Sequence, residues 1–261
     1  RETLQIVRKM VEEGQAQAIM GNHEFNALAY ATPDGRGGWL REHKPEKIEQ
    51  HAQTQKQIAV SYPEEWQDWL QWFASLPLFL ELDGLRAVHA AWCDESVAAF
   101  GNVGSLDSAV LHGIMDRGGS LYGNKEILLN GVELDLPPGY FFSDKSGFQR
   151  DKIRVRWWEK LGSEGVCTYR QAVFPDSQTV PDLAIPVGHE GLAGYPAEAP
   201  PVFFGHYWLP ADRPPAPLKP NVACLDYSVA KGGKLTAYRW DGEQTLKVEK
   251  FVTAGTAASR K

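Results

Sequence analysis

Ala16-Gln17-Ala18-Ile19-Met20-Gly21-Asn22-His23-Glu24-Phe25-Asn26-Ala27-Leu28-Ala29-Tyr30-Ala31 reads as a strand, a tight turn and a helix. The apolar run stops at Gly21, three polar residues follow, and a helical pattern then runs through Ala31. Polar groups at a strand-to-helix turn are a common place for ligand chemistry in chains that alternate strand and helix. Upstream, Leu4, Val7 and Val11, with Ile6 and Met10, recur at helical spacing and predict a helix over 2–13 that ends at Gly14. Downstream, 46–61 is polar and helical in pattern, and Trp66, Trp69, Leu70 and Phe73 stand at i, i+3, i+4 and i+7. That stripe is a core face rather than a cofactor box.

Further along, Leu78-Phe79-Leu80-Glu81-Leu82, Asp83-Gly84 and Leu85-Arg86-Ala87-Val88 make a hairpin signal, with His89 closing its second strand. Residues 94–118 look helical with breaks. Residues 119–200 are rich in Gly, Pro and short motifs, with no linker to set them apart. Pro201-Val202-Phe203-Phe204 predicts a strand that ends in Gly205-His206, and 222–226, 234–240 and 245–252 predict further strands. The expected organisation is one domain over 1–261, with 102–200 an insertion or cap and 253–261 a disordered tail.

At 261 residues and 43% hydrophobic, the chain can bury a large core. Its formal charge of −6 disfavours a nucleic-acid partner. Cys93, Cys167 and Cys224 are odd in number and fit no CxxC spacing, so they read as reduced core residues and point to the cytoplasm. No run of about 18 apolar residues exists to cross a membrane.

Three polar clusters each sit where a strand is expected to end: Gly21-Asn22-His23-Glu24, then His89, then Gly205-His206. Strand ends on one edge of a sheet converge, so an amide oxygen and two imidazoles could surround one cation; imidazole suits Zn, Mn and Fe. Singly each signal is weak. An isolated histidine at a strand end is more often structural, and Gly-Asn-His-Glu also reads as an Asx turn capping a helix. The three in this order are more specific.

Gly21-Asn22-His23-Glu24 resembles the GNHE motif of the calcineurin-like metallophosphoesterases, and His89 and Gly205-His206 follow in that family's order. Leu225-Asp226-Tyr227 and Lys231 to Tyr238 are similar to the terminal strands of bacterial members in the diadenosine-tetraphosphatase and PrpE-like branch. The resemblance covers about 1–100 and 200–252. It implies an α+β fold, a four-layer α/β/β/α sandwich of two mixed β-sheets, here without its N-terminal strand or strands and with a cap-like insertion. It also implies a two-metal site holding manganese first, with iron, zinc or nickel as alternatives. Asn22, His89 and His206 would bind the second metal, His23 would be the general acid, and Glu24 would order the turn. Substrates would be a phosphorylated small molecule, a nucleotide or a phosphoprotein.

The chain departs from the family pattern by having no Asp-x-His and no Gly-Asp. Those motifs supply the first metal's ligands, the bridging carboxylate and a phosphate-binding arginine. The simplest expectation is truncation of a few tens of residues, leaving an incomplete, inactive fragment; a pseudo-phosphatase or binding module that keeps the fold is the alternative. Asp116-Arg117-Gly118 is a poor substitute because it follows the GNHE cluster. With the motif arginine absent, Arg150, Arg154, Arg156 and Arg170 are candidates to clamp phosphate, Arg154 first.

Overall fold

The computed structural model describes residues 1–101, 103–143, 149–162, 168–186 and 193–255, and shows a mixed α+β protein. Its contacts divide it into two compact units, one of Arg1–Leu80 with Asp94–Lys125 and one of Glu81–Cys93 with Glu126–Lys261.

The first unit is helical. Helix α1 (Glu2–Glu12) ends as its spacing predicts, and α2 (Asn22–Ala31) buries Phe25, Ala27, Leu28 and Ala29 against α4 (Pro63–Ser75). Helix α3 (Pro45–Thr54) continues into one wider π-helical stretch, Gln55–Val60. The aromatic stripe is core: Trp69, Leu70 and Phe73 are all buried on α4. Helices α5 (Asp94–Phe100) and α6 (Ser108–Met115) match the broken helical pattern, and α7 (Ser120–Asn130) runs across the boundary between the units. Ala16–Met20, expected as a strand, joins no ladder. The Gln15 and Ala16 N–H groups cap α1 through the Met10 carbonyl, and Met20 donates to the Pro77 carbonyl at 2.8 Å. A strand is defined by its neighbours, and an apolar run without them stays an extended segment.

The second unit is built on two sheets. Strands β1 (Phe79–Leu82) and β2 (Leu85–Val88) are neighbours across a tight turn where Gly84 takes φ 76°, open to glycine and costly for most residues. A small ribbon, β3 (Glu133–Asp135) with β6 (Lys152–Arg154), and a shorter one, β4 (Phe142–Ser143) with β5 (Gln149–Arg150), occupy part of the expected insertion. Helix α8 (Tyr169–Ala172) packs into a core with the first ribbon, through Leu134, Ile153, Val155, Tyr169 and Val173. Strands β7 (Val202–Phe204) and β8 (Val222–Cys224) complete a four-stranded sheet in the order β1-β2-β7-β8. Strands β9 (Asp226–Tyr227), β10 (Lys234–Tyr238) and β11 (Phe251–Gly255) form an antiparallel sheet in the order β11-β10-β9. Thr253, Ala254 and Gly255, expected in the tail, therefore extend a strand, while 256–261 lie outside the described residues.

Alternation along β7 explains how the sheets sit. Phe203 points to one face and packs with Ala223, Leu85, Tyr238 and Phe251, which joins the four-stranded to the three-stranded sheet. Phe204 points to the other face, with its ring centroid 5.2 Å from that of Trp157 and 5.4 Å from that of Trp158. Side chains one residue apart in a strand face opposite ways, so this three-residue strand is buried on both sides.

Candidate functional site

The site in the second unit begins with strand direction. β2 pairs with β7 in parallel, Ala87 opposite Phe203, and β7 pairs with β8 in parallel, Phe204 opposite Cys224. Parallel strands end on the same edge, so the residues just after Val88, Phe204 and Cys224 gather there. The backbone records this: Gly205 N–H donates to the His89 carbonyl at 2.9 Å, and Leu225 N–H to the Phe204 carbonyl at 2.7 Å. The His89 and His206 rings follow, with centroids 5.0 Å apart at 62°.

His206 is buried, at 8% exposure, and holds φ 72°. Among the described residues the other non-glycine residues with positive φ are Trp208 at 54° and Ser228 at 59°. All three lie in the loops that leave this edge. Left-handed backbone costs a non-glycine residue roughly 1–2 kcal/mol and persists where surrounding structure enforces it. Asp226 supplies part of that enforcement: its Oδ2 accepts from Trp208 N–H at 3.1 Å and its Oδ1 from Ser228 N–H at 3.0 Å. A Cβ added at Gly205 would meet the Asp226 Cβ at 3.6 Å, an ordinary contact that places the acid against the end of β7. Cys224 lies behind, its thiol pushed up to about 12 by burial.

In the first unit, Asn22 and His23 open α2. Glu24 reaches back so that its Oε2 accepts from Gly21 N–H at 3.0 Å, which orders the turn as expected. Gly21 is buried, Asn22 half-buried and His23 exposed. Sequence reasoning gave no role to the neighbouring His51. Its ring is buried between Tyr30, 4.8 Å away, and Trp66, 6.2 Å away. Burial, then the charges of Arg41, His23 and His43, bring its pKa down to about 4. Its place on a polar helix carries no sequence signal that separates it from a surface histidine.

Bonds of about 2 Å to one ion would leave two imidazole centroids within roughly 6 Å of each other, and the 5.0 Å between His89 and His206 fits that limit. The pair fits two ligands of one ion. Among the described residues no group of three or more His, Cys, Asp or Glu is placed to hold a metal. Arg154, the sequence candidate for the phosphate clamp, lies on β6 with its guanidinium 3.7 Å from Glu133 across the ribbon. Asp226 was visible in the sequence as an acid between apolar neighbours, although its role came only from the fold. Among the described residues no helix is long and apolar enough to cross a membrane. Comparison with protein-family models, with curated proteins and with solved structures gives no match.

Proposed function

We propose that the protein is a metal-dependent phosphoesterase that hydrolyses a phosphate monoester or phosphoanhydride, built on a four-layer sandwich around the two sheets. The observation that carries the reading is the imidazole pair, His89 and His206, at the carboxyl ends of adjacent parallel strands, with His206 held in left-handed backbone. The place of Asn22 in the ligand set, and the role of His23, are taken from the GNHE resemblance.

In this reading His89 and His206 donate neutral nitrogen lone pairs and Asn22 an amide oxygen. A divalent ion such as manganese, when bound, acts as a Lewis acid and lowers the pKa of a bound water toward 7. His23, exposed at the start of α2, gives a proton to the departing oxygen. Neutral ligands do not offset the repulsion between two dications, so residues 1–261 by themselves bind at most one. Among the described residues Cys93 and Cys224 are free.

A binding module without turnover is the second reading, motivated by the lack of Asp-x-His and Gly-Asp in the sequence. Elemental analysis after manganese loading, with a nitrophenyl phosphate assay alongside, tests both. The phosphoesterase reading expects manganese that is lost on His89→Ala or His206→Ala. Manganese binding indifferent to both substitutions overturns it. Two tight ions with ordinary turnover would show that carboxylate ligands exist in this sequence beyond those identified.

A further inference from the structure

We propose that the exposed ring of Trp39, in the first unit, is a platform on which the base of a nucleoside phosphate stacks. Three planar rings there are already piled nearly in parallel. The Trp39 and His43 ring centroids lie 5.0 Å apart at 9°, and those of His43 and Tyr30 3.7 Å apart at 15°. The Tyr30 end is anchored, because the buried His51 ring stands 4.8 Å from Tyr30 and 6.2 Å from Trp66 on α4. His43 Nε2 donates to the Tyr30 carbonyl at 3.0 Å, which ties the middle ring to the start of the pile. Trp39 is the open end, 40% exposed. A fourth planar ring laid on it would extend a column that the fold has already aligned, and every nucleobase has the flat π face to do so.

The turn that carries Trp39 is built in advance. Pro33 and Trp39 pair as an antiparallel bridge, Asp34 N–H donates to the Gly38 carbonyl at 3.0 Å, and Asp34 Oδ1 accepts from the Arg36 and Gly38 N–H groups at 2.8 Å each. Gly35 and Gly37 supply left-handed backbone, at φ 73° and 90°. Charge selects the kind of ring. Between Pro33 and Lys44 the cations Arg36, Arg41 and Lys44 outnumber the acids Asp34 and Glu42. Glu42 pairs with Lys44, Arg41 rests on the neutral acceptors Asn26 Oδ1 and Gln50 Oε1, and Arg36 stands exposed at the tip of the turn. An excess of cations suits a ring that carries phosphate better than an uncharged aromatic group. The charges of His23 and His43 both act on His51, so the pile and the start of α2 surround one buried imidazole.

This deepens the phosphoesterase reading by choosing the nucleotide among its substrate classes, and it rests on that reading for the phosphate. The test is equilibrium dialysis of residues 1–261 against radiolabelled adenosine monophosphate and, separately, ribose phosphate, with EDTA present so that no metal contributes. The two probes differ only in the base. The unsubstituted chain is expected to hold adenosine monophosphate about tenfold or more tighter, and Trp39→Ala to remove that preference while leaving ribose phosphate unchanged. Trp39→Phe should keep part of the preference, since a smaller flat face remains. Circular dichroism and melting identify a variant that fails to fold, and Trp39→Phe, which keeps a ring against His43, decides the matter if Trp39→Ala is one. Adenosine monophosphate bound equally by Trp39→Ala and the unsubstituted chain overturns the proposal, as does its being held by the unsubstituted chain no better than ribose phosphate, or not at all. A single-stranded oligonucleotide bound in preference to the mononucleotide overturns the choice of a free nucleotide, which the net charge of −6 favours over a polyanion. Failure of the phosphoesterase reading looks different: manganese binding indifferent to His89 and His206, whatever adenosine monophosphate does.

Discussion

His51 and His206 are the two histidines buried among the described residues, at 5% and 8% exposure, and they are buried for different reasons. His51 belongs to a helix, and its ring fills space between Tyr30 and Trp66, where burial first and Arg41 second favour its neutral form. His206 belongs to a loop at a sheet edge, in backbone that a histidine rarely adopts, with a second imidazole against it. Burial alone therefore does not mark a ligand. Backbone held against its preference, together with a second donor of the same kind, does so better.

The comparison breaks most visibly on metal content. Changing an outer-shell partner of a metal ligand already costs roughly 10- to 100-fold in affinity, so His206→Ala should lower manganese affinity at least that much. His51→Ala should leave it unchanged while lowering the melting temperature, because a buried ring is replaced by a cavity worth about 2–5 kcal/mol. Dialysis with elemental analysis and a thermal melt read the two effects. Equal loss of metal in both variants would erase the distinction.

Acid sharpens the same contrast. The pKa of His51 in the folded protein, about 4, lies below its ordinary 6.5, so the unfolded chain takes the proton first. Stability is fully present above about 6.5 and is lost as pH falls from there toward 4, at up to about 1.4 kcal/mol per pH unit. Denaturant titrations across that window should show a shallower slope for His51→Phe than for the unsubstituted protein. An identical slope would mean that His51 already carries its proton when folded.

Smaller effects test what holds each turn. Asp226→Asn turns one of two acceptors into a donor that faces a main-chain N–H, a cost of about 1–3 kcal/mol. It should also loosen the His206 loop, seen as faster amide exchange at Trp208 and Ser228. Glu24→Ala should cost about 0.5–1 kcal/mol through the lost reach to Gly21, with little change in exchange at the sheet edge. Comparable changes in exchange from both variants would contradict the separate roles given to the two turns.

Local chemistry made much of this protein legible. Helical spacing placed α1 within a residue and put the Trp66 to Phe73 stripe on one helix, α4, because a 3.6-residue period is written in neighbouring residues; α2 starts at Asn22, three residues before the pattern read after the polar turn. The Asp83-Gly84 turn and the apolar run before Gly205 were readable for the same reason. Glu24 three residues past Gly21 was readable as the brace of its own turn. What long-range pairing decides was not in view: that Ala16–Met20 finds no ladder, and that 133–135 and 152–154 form a ribbon inside an expected cap. Sequence put His89 and His206 each at the end of a strand; only the parallel register of β2 and β7 put their rings side by side. The same holds for Arg154, whose partner Glu133 lies across a ribbon that only the fold forms. Periodicity and capping act over a few residues and survive in the sequence, whereas pairing of strands more than a hundred residues apart exists only once the chain has folded.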